Sequence, residues 1–467
     1  MKGDTVVTGH NSMVLTQGHE RARPPGPKGL PWFGPLLEMS RDTLGFLRTF
    51  GRAYGPIGHT QIGPMHLYTV NEPELIEELL LGRHAECTKD STTRGLSGIL
   101  GDGLITSDGA LWKRQRRMAS PAMRPKSIAS YGDAAVLAAE RFSHALADGE
   151  LRNVYADMMN VLVDIVSTTL LGFEAMDSVA CINRSAEAAI EYCRKESFGV
   201  YQLLPRWIPA RHRSVMRRAS AELDEVVYRV IARCRERDAD APHYLAHLCR
   251  ARDQDGQPMD SRQLRDEAAT ILIAAHETSA LGLTYALHCL VEHEDVAQRV
   301  REELRGVLSG RRATTADLPQ LPYLNAVVRE MLRLYPSVYV FGREVVAPID
   351  IAGYHLPAGS RVMVSPYVVQ RDPRFFPEPD RFVPERWMDF DRASLPRFAY
   401  FPFGGGPRVC MGQHYAMMQM SLVLSVLMQD LDFEAEPGFK LKLEPLLTLR
   451  PIRGYVPMRV RRRVARA

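Results

Sequence analysis

The stretch FPFGGGPRVCMG, residues 401–412, places one cysteine between a glycine-rich run and an apolar helical pattern. Glycines let a backbone approach a flat ligand closely and point N–H groups at a sulfur. The dipole of the helix behind Cys410 favours a thiolate, and a thiolate is the form of cysteine that binds metals. The residue types therefore favour a metal-bound thiolate at Cys410, and the simpler alternative is a turn before a buried cysteine.

A long helical pattern in the middle of the chain carries a second reactive group. Its centre is apolar and contains the run AAHETS. The hydroxyl of Thr278 can bond back to the i−4 carbonyl, here that of Ala274, and loosen the turn. His276 lies about 200° round the helix from Ala274, so we expect it to pack elsewhere.

Two further segments carry charged or aromatic side chains at helical spacing. In VVREMLRLYP, Glu330 and Arg333 stand at i,i+3 and can pair. In LWKRQRRMAS, Trp112 and Arg116 stand at i,i+4 and share a helix face. Either spacing is common in charged helices, so neither identifies a function alone.

Other catalytic signatures are incomplete. GLSGI at 95–99 lacks the last glycine of a nucleophile elbow. His276-Glu277 is followed by Ala280, where a zinc protease needs its second histidine. No phosphate-binding G-x-x-x-x-G-K-S/T occurs. Hydrolase, protease and nucleotide-enzyme functions lack their usual support.

Taken in order along nearly the whole chain, the motifs resemble those of the cytochrome P-450 family, the haem–thiolate monooxygenases. The cysteine loop matches F-x-x-G-x-R-x-C-x-G, and residues 274–279 resemble the family's A-G-x-D/E-T-T/S. The resemblance implies that Cys410 ligates the iron of haem b. It also implies a set of haem-contacting residues: Trp112, Arg116, Ala274, Arg343, Phe403, Gly404, Arg408, Cys410 and Gly412.

The resemblance assigns catalytic roles on the long helix. Thr278 is expected to hydrogen-bond the reacting oxygen, and Glu277 to relay protons from solvent. Ala275 stands where the family more often has glycine, which would narrow the groove. Gln370 and Gln419 replace a common histidine and glutamate, at positions away from the iron.

The resemblance also assigns structural and pocket residues. Arg386, in the P-E-R-W segment, is expected to join Glu330 and Arg333 in an ion-pair network that fixes the cysteine loop. The apolar connector 200–212 is either a packed loop or a mobile lid, and the sequence leaves both open. The expected substrate pocket is lined by Leu96, Leu104, Ala274, Val338, Phe341, Leu446 and Leu447.

The elements that must position these residues are mainly helical. Residues 133–310 have helical patterns, whereas strand-like pieces cluster at both ends of the chain. Because the helical middle cannot close a sheet, strands from both ends should meet. We predict a mainly α fold with small β-sheets and a long central helix over a cysteine-ligated haem. We expect a flexible polar leader (1–22), a single haem–thiolate monooxygenase domain (23–460) and a basic C-terminal tail (461–467).

Composition limits the function classes. The 467 residues are 45% hydrophobic and 24% charged, as in ordinary globular proteins. A net charge of +4 does not indicate nucleic-acid binding. The seven cysteines form no C-x-x-C pair, so we expect no disulfide framework or zinc ribbon. Most of them are interpreted as small buried hydrophobes in a reducing compartment.

The predicted activity is the insertion of one oxygen atom from O2 into a hydrophobic small molecule: a terpenoid, fatty acid, steroid or polyketide-like compound. Electrons from NAD(P)H are expected through ferredoxin and ferredoxin reductase, which could dock at Lys113, Arg114 and Arg117. We expect a cytoplasmic monomer without a membrane span. The alternatives are a peroxide-driven peroxygenase, a kind that typically lacks the acid–threonine pair, and a non-catalytic haem- or lipophile-binding protein.

Overall fold

The computed structural model describes residues 23–173, 178–198, 201, 209–237, 241–389, 391 and 394–463. Helices dominate this part of the chain. The α-helices are α1 (Leu36–Arg41), α2 (Thr43–Ala53), α3 (Pro73–Glu77), α4 (Ser91–Gly95), α5 (Ser97–Leu100), α6 (Gly109–Ala119), α7 (Pro125–Ala129), α8 (Gly132–Ala145), α9 (Val154–Val166), α10 (Val179–Phe198), α11 (Arg211–Arg237), α12 (Tyr244–Arg250), α13 (Ser261–Glu292), α14 (Glu294–Leu308), α15 (Pro322–Leu334), α16 (Pro366–Val369) and α17 (Gln413–Asp430).

Short strands from both ends of the chain meet in small sheets. They are β1 (Ile57–Ile62), β2 (Met65–Val70), β3 (Cys87–Lys89), β4 (Leu151–Asn153), β5 (Phe341–Val345), β6 (Ile349–Ile351), β7 (Tyr354–Leu356), β8 (Arg361–Val364), β9 (Leu431–Ala435), β10 (Leu443–Pro445), β11 (Leu449–Pro451) and β12 (Pro457–Arg462). The largest sheet has the order β1-β2-β8-β5-β3, with only β2 and β8 parallel. The others are β4-β12-β9, β10-β11 and β6-β7. The predicted mainly α, single-domain fold is confirmed.

The central helix α13 is apolar on most sides and runs through the core. Asp260 caps its start by accepting a 2.8 Å hydrogen bond from the backbone N–H of Gln263. At 1.5 Å per residue it is about 48 Å long. Gly282 lets α17 approach closely, since a Cβ at that position would lie 2.5 Å from Sδ of Met420. Helix α13 is thereby fixed against the helix that follows Cys410.

A second core helix, α9, continues through a π-helical turn. In the described part of the chain, the stretch Val154–Leu171 is long and apolar enough to cross a membrane. It is nevertheless 78% buried within the fold, and it packs against α13 and α8. A helix buried on most sides by protein is a core helix.

The ends of the predicted domain differ in detail. Strand β12 extends to Arg462 and pairs with β9. Residues 461 and 462, expected in the C-terminal tail, therefore belong to a strand. Because β9 is acidic, Arg461 and Arg463 pair there with Glu434 and Asp432. The leader (1–22), residues 464–467 and residues 200 and 202–208 of the connector lie outside the described residues.

Candidate functional site

A tight loop holds Cys410 in front of α17. The N–H of Cys410 donates to the carbonyl oxygen of Phe403 at 2.9 Å. Gly404 and Gly406 have φ values of 70° and 68°, a region that favours glycine. At Gly406 a Cβ would also lie 2.2 Å from the carbonyl oxygen of Leu80. The glycine-rich composition is therefore required by backbone conformation and close approach.

The Cys410 side chain has accessible surface, yet desolvation dominates its environment and raises the pKa of its thiol. The backbone N–H of Gly412 and the charge of Arg116 act in the opposite direction. Accessible surface combined with desolvation means that the sulfur faces an enclosed space rather than bulk water. A Cβ on Gly412 would lie 4.0 Å from this sulfur, which is an ordinary van der Waals contact.

Four basic side chains gather beside the cysteine loop: Lys89, Arg116, Arg343 and Arg408. Desolvation lowers the pKa of each, that of Lys89 to about 7 and that of Arg408 to about 10. Repulsion adds to this, because Arg343 and Arg408 lower the pKa of Lys89, and Arg343 and Arg116 lower that of Arg408. Such an excess of poorly solvated positive charge favours the binding of anions.

Asp108, which the sequence analysis missed, is an acidic partner of this basic cluster. It forms an ion pair with Arg408 and accepts hydrogen bonds from Oγ1 of Thr88 and, at 3.1 Å, from the backbone N–H of Lys89. The Arg408 guanidinium also lies 3.8 Å from the ring centroid of Trp112. Asp108 occupies the N-cap of α6 without capping it by a side-chain hydrogen bond. A helix-start aspartate was the only available sequence signal.

A strip of α13 is accessible in the middle of an otherwise buried helix. Ile271, Ala274, Ala275 and Thr278 are partly exposed, whereas most residues of the neighbouring turns are buried. Their i, i+3, i+4, i+7 spacing puts them on one face, which we call the α13 strip. Oγ1 of Thr278 donates to the carbonyl oxygen of Ala274 at 2.9 Å. The strip therefore combines an apolar surface with one hydroxyl.

Glu277, adjacent to Thr278, lies in a buried ion pair. Its Oε1 accepts hydrogen bonds from Nε of Arg450 at 2.5 Å and from Oγ1 of Thr448 at 3.0 Å. Arg450 also reaches Glu187 at 2.8 Å, and the Glu187 side chain is 60% exposed. These groups form a continuous path from the interior to the surface. The sequence indicated the acid but neither of its partners.

Glu330 organises a buried network between α15 and the segment before the cysteine loop. It pairs with Arg333 at 2.8 Å, and neither side chain has exposed surface. Nε of Arg386 at 3.0 Å, the indole N–H of Trp387 at 2.8 Å and the backbone N–H of Val383 at 3.0 Å donate to the same carboxylate. Arg333 donates its remaining N–H groups to backbone carbonyls. The buried charges are thus fully hydrogen-bonded, as a buried ion pair requires.

Two glutamines that the family resemblance places away from the iron connect the site to the core. Gln370 donates to two backbone carbonyls of α15 and accepts a 2.9 Å hydrogen bond from the N–H of Phe401, where the cysteine loop begins. Gln419 on α17 donates to Oγ of Ser279 on α13 at 2.6 Å. Their only sequence signal was a departure from the usual residue at each position.

Two segments expected to line the pocket meet beside the α13 strip. Oγ of Ser337 donates to the carbonyl oxygen of Thr278 at 2.7 Å, and the next residue, Val338, is 37% exposed. The hydroxyl of Tyr339 donates to the carbonyl oxygen of Leu446 at 2.9 Å. The structure therefore places Val338 next to a residue that contacts Thr278, and it joins the Leu446 segment to the same stretch of chain.

The other expected pocket residues have different surroundings. Leu96 is buried in the main core, and Leu104 and Leu447 are partly buried at its edge. Phe341 packs against Phe401 of the cysteine loop, with ring centroids 6.4 Å apart. The observed ring contact of Phe341 is therefore with the loop that carries Cys410.

These features fit a haem b group held by Cys410. Among the described residues, no side chain accepts a hydrogen bond from the Arg116 guanidinium. The Arg343 guanidinium donates a hydrogen bond to the backbone carbonyl of Gly342. Two propionates would supply anions to this basic cluster. No group of three or more His, Cys, Asp or Glu within the described ranges could hold a metal ion. A single thiolate ligand is the donor set of haem–thiolate proteins.

The sequence and the fold both match known proteins. The family model for cytochrome P-450 matches residues 24–458. Cyclooctatin synthase of Streptomyces melanosporofaciens is 32% identical over 426 residues, which cover 91% of this chain and 92% of that protein. Pentalenene oxygenase of Streptomyces avermitilis is 26% identical over 441 residues, covering 94% and 96%.

A solved structure of a cyanobacterial relative with bound retinoic acid has the same fold. It matches with a TM-score of 0.83 and 27% identity, over 94% of this chain and 99% of the other. The family model matches nearly the whole chain, and the two relatives are of similar length and are named as a synthase and an oxygenase. This chain therefore belongs to the cytochrome P-450 family of monooxygenases.

Proposed function

We propose that this protein hydroxylates a cyclic terpenoid with O2 and two electrons from NAD(P)H. The relatives named for cyclooctatin and pentalenene support a terpenoid substrate class. Identities of 26–32% support the class rather than one compound. The proposed setting is the cytoplasm, where the protein acts as a monomer with a separate ferredoxin and ferredoxin reductase.

The observation that carries the proposal is the α13 strip. Ile271, Ala274 and Ala275 offer methyl and methylene groups and no hydrogen-bonding side chain. A ligand that lies against them must be apolar on that side. Thr278 is the polar group at the end of this surface, so the ligand would be oriented with the oxidised carbon near its hydroxyl.

Haem b, when bound, supplies the oxygen-activating chemistry. Cys410 would be its thiolate ligand, and the N–H of Gly412 together with the charge of Arg116 would stabilise negative charge on the sulfur. Arg343 and Arg408 would bind the carboxylates of the cofactor. Burial of these groups keeps water from competing for them.

Protons would be supplied from the flank of α13 that carries Glu277, about 100° round the helix from Thr278. The hydroxyl of Thr278 holds a proton at Oγ1 and can turn from the Ala274 carbonyl towards the reacting oxygen. Glu277 would reload it after moving away from Arg450, which can keep Glu187 as its partner. This requires a rearrangement of the ion pair, because Glu277 is fully engaged in the structure.

The electron donor would dock on the side of α6. Lys113 and Arg117 are exposed there. Arg114, which the sequence groups with them, is instead bound to Asp253 at 2.6 Å and Gln263 at 2.7 Å. The docking charge would therefore come from Lys113 and Arg117 without Arg114.

Reconstitution with a surrogate ferredoxin, its reductase and NAD(P)H tests the function on a panel of cyclic terpenoid hydrocarbons and alcohols. We expect a low-to-high spin shift on substrate binding and a hydroxylated product by mass spectrometry. Product formed with peroxide alone would support the peroxygenase alternative. Binding without any product would support the carrier alternative. Cys410→Ser should abolish the Soret band of the reduced carbon monoxide complex that gives the family its name.

A further inference from the structure

Two cysteines outside the haem site lie in contact. Cys234 on α11 and Cys249 on α12 have their sulfur atoms 3.9 Å apart, and the Cys234 thiol donates to the Cys249 sulfur. Cys234 is 2% exposed, whereas Cys249 is partly exposed. The two helices pack together. A disulfide needs about 2.05 Å between sulfurs, so closure requires a movement of about 2 Å.

The surroundings of Cys249 favour its thiolate. The hydrogen bond from Cys234 lowers the pKa of Cys249 to about 7, and the guanidinium groups of Arg235 and Arg250 act in the same direction. Arg252 also lies close, where it donates to the backbone carbonyl of Cys249. A thiolate that solvent can reach is the form of cysteine that reacts with oxidants.

The other described cysteines outside the haem site show the opposite tendency. Desolvation raises the pKa of Cys87 to about 11 and that of Cys193 to about 12, and it also raises that of Cys181. Desolvation also raises the pKa of the buried Cys289. These four fit the interpretation of cysteine as a small hydrophobe, and the Cys234–Cys249 pair does not.

We propose that Cys234 and Cys249 are a peroxide-sensitive dithiol that closes to a disulfide between α11 and α12. The Cys249 thiolate attacks hydrogen peroxide, the O–O bond breaks, and Cys249 becomes a sulfenic acid with release of hydroxide. The Cys234 thiol then attacks this sulfur, and the S–O bond breaks with loss of water. Peroxide is reduced and the two thiols are oxidised by two electrons in total.

The position of the pair connects it to α6. On α12, His247 hydrogen-bonds the carbonyl oxygen of Met118 at 2.9 Å, and Met118 lies on α6. Just after α12, Asp253 and the carbonyl oxygen of Pro258 hold Arg114. A disulfide would therefore tie α11 to the elements that support the helix carrying Trp112 and Arg116.

Thiol mapping of the haem-loaded protein tests this. We would treat it with stoichiometric hydrogen peroxide, and separately with diamide, block free thiols and digest it for mass spectrometry. We expect a peptide pair joined through Cys234 and Cys249, reversible by dithiothreitol. In the untreated protein at pH 7, iodoacetamide should modify Cys249 at least about tenfold faster than Cys181.

Matched variants separate the two roles. In Cys234→Ser, a dimedone adduct should accumulate on Cys249 because the resolving thiol is absent. In Cys249→Ser, Cys234 should stay reduced, and Cys181→Ser should form the disulfide like the wild type. The proposal is overturned if both cysteines of the wild type stay alkylatable after oxidation, or if Cys181 or Cys87 reacts first. The mapping of the wild type decides this even if a variant fails to fold.

Discussion

Nε of Arg450, on β11, lies 2.5 Å from Oε1 of Glu277, and the same guanidinium continues to Glu187 at the surface. The side chains of Glu277 and Arg450 are only 5% and 7% exposed. A buried ion pair is weak evidence of stabilisation because both charges lose solvation. The location of the Glu277–Arg450 pair beside Thr278 instead favours a role in moving protons. Arg450 can release the carboxylate of Glu277 and keep that of Glu187.

Glu277→Gln removes the proton-carrying carboxylate and keeps the shape of the side chain. We expect the rate of product formation to fall at least about tenfold, because positioned acid–base groups contribute factors of this size or more. Glu292→Gln, exposed at the end of the same helix and outside this path, is the control and should change the rate little. The rate of product formation and the amount of product per NAD(P)H consumed are measured in H2O and in D2O. An unchanged rate in Glu277→Gln would exclude Glu277 from proton delivery.

Glu330→Gln should destabilise the protein by about 3–5 kcal/mol, because it leaves the buried charge of Arg333 without its counter-ion. The control is Arg381→Ala, which removes a surface pair with Glu378 and should cost less than about 1 kcal/mol. Urea unfolding followed by the Soret band and by circular dichroism measures both. Equal stabilities of the two variants would contradict a structural role for the Glu330 network.

Gln370→Leu leaves the N–H of Phe401 and two carbonyls of α15 without their partner. We expect a loss of about 1–3 kcal/mol in the free energy of unfolding and faster transfer of haem to apomyoglobin. Gln370→His keeps a side chain that can donate and accept, so it should lose less than the leucine variant. If both variants retain haem as well as the wild type does, Gln370 does not hold the cysteine loop.

The motifs themselves could be predicted from sequence because each obeys a local rule. Thr278 bonds to Ala274 since a mid-helix threonine reaches the i−4 carbonyl, and Glu330 meets Arg333 since i,i+3 residues are neighbours. Gly406 was identifiable as a site of close approach. The strand clusters at both ends of the chain likewise predicted that those ends would meet.

The partners of these residues could not be predicted, because they come from distant parts of the chain. Arg450 lies 173 positions from Glu277, and Asp108 lies 300 positions from Arg408. No periodicity links such pairs, and their contact depends on how β11 and α6 pack. The position of Phe341 shows the same limit, since its strand turns the ring towards Phe401.

Glu267, on the first half of α13, should make the stability of the protein depend on pH, and this prediction requires no assumption about the substrate. It is 1% exposed, and the backbone N–H of Leu104 approaches its carboxyl without completing a well-formed hydrogen bond. Desolvation raises the pKa of Glu267 from 4.5 to about 8, and the charge of Asp266 adds to this. Between these two values the folded state holds a proton that the unfolded state has lost.

The contribution of Glu267 to the stability of the wild type should therefore fall as the pH rises from 4.5 to 8 and stay low above that range. Glu267→Gln is neutral at every pH, so it should match the wild type near pH 4.5 and exceed it by a few kcal/mol at pH 8.5. Glu292→Gln, at an exposed position on the same helix, is the control and should follow the wild-type curve. Urea unfolding of the haem-loaded protein across this range measures the difference. Parallel curves for wild type and Glu267→Gln would show that Glu267 does not titrate in this way.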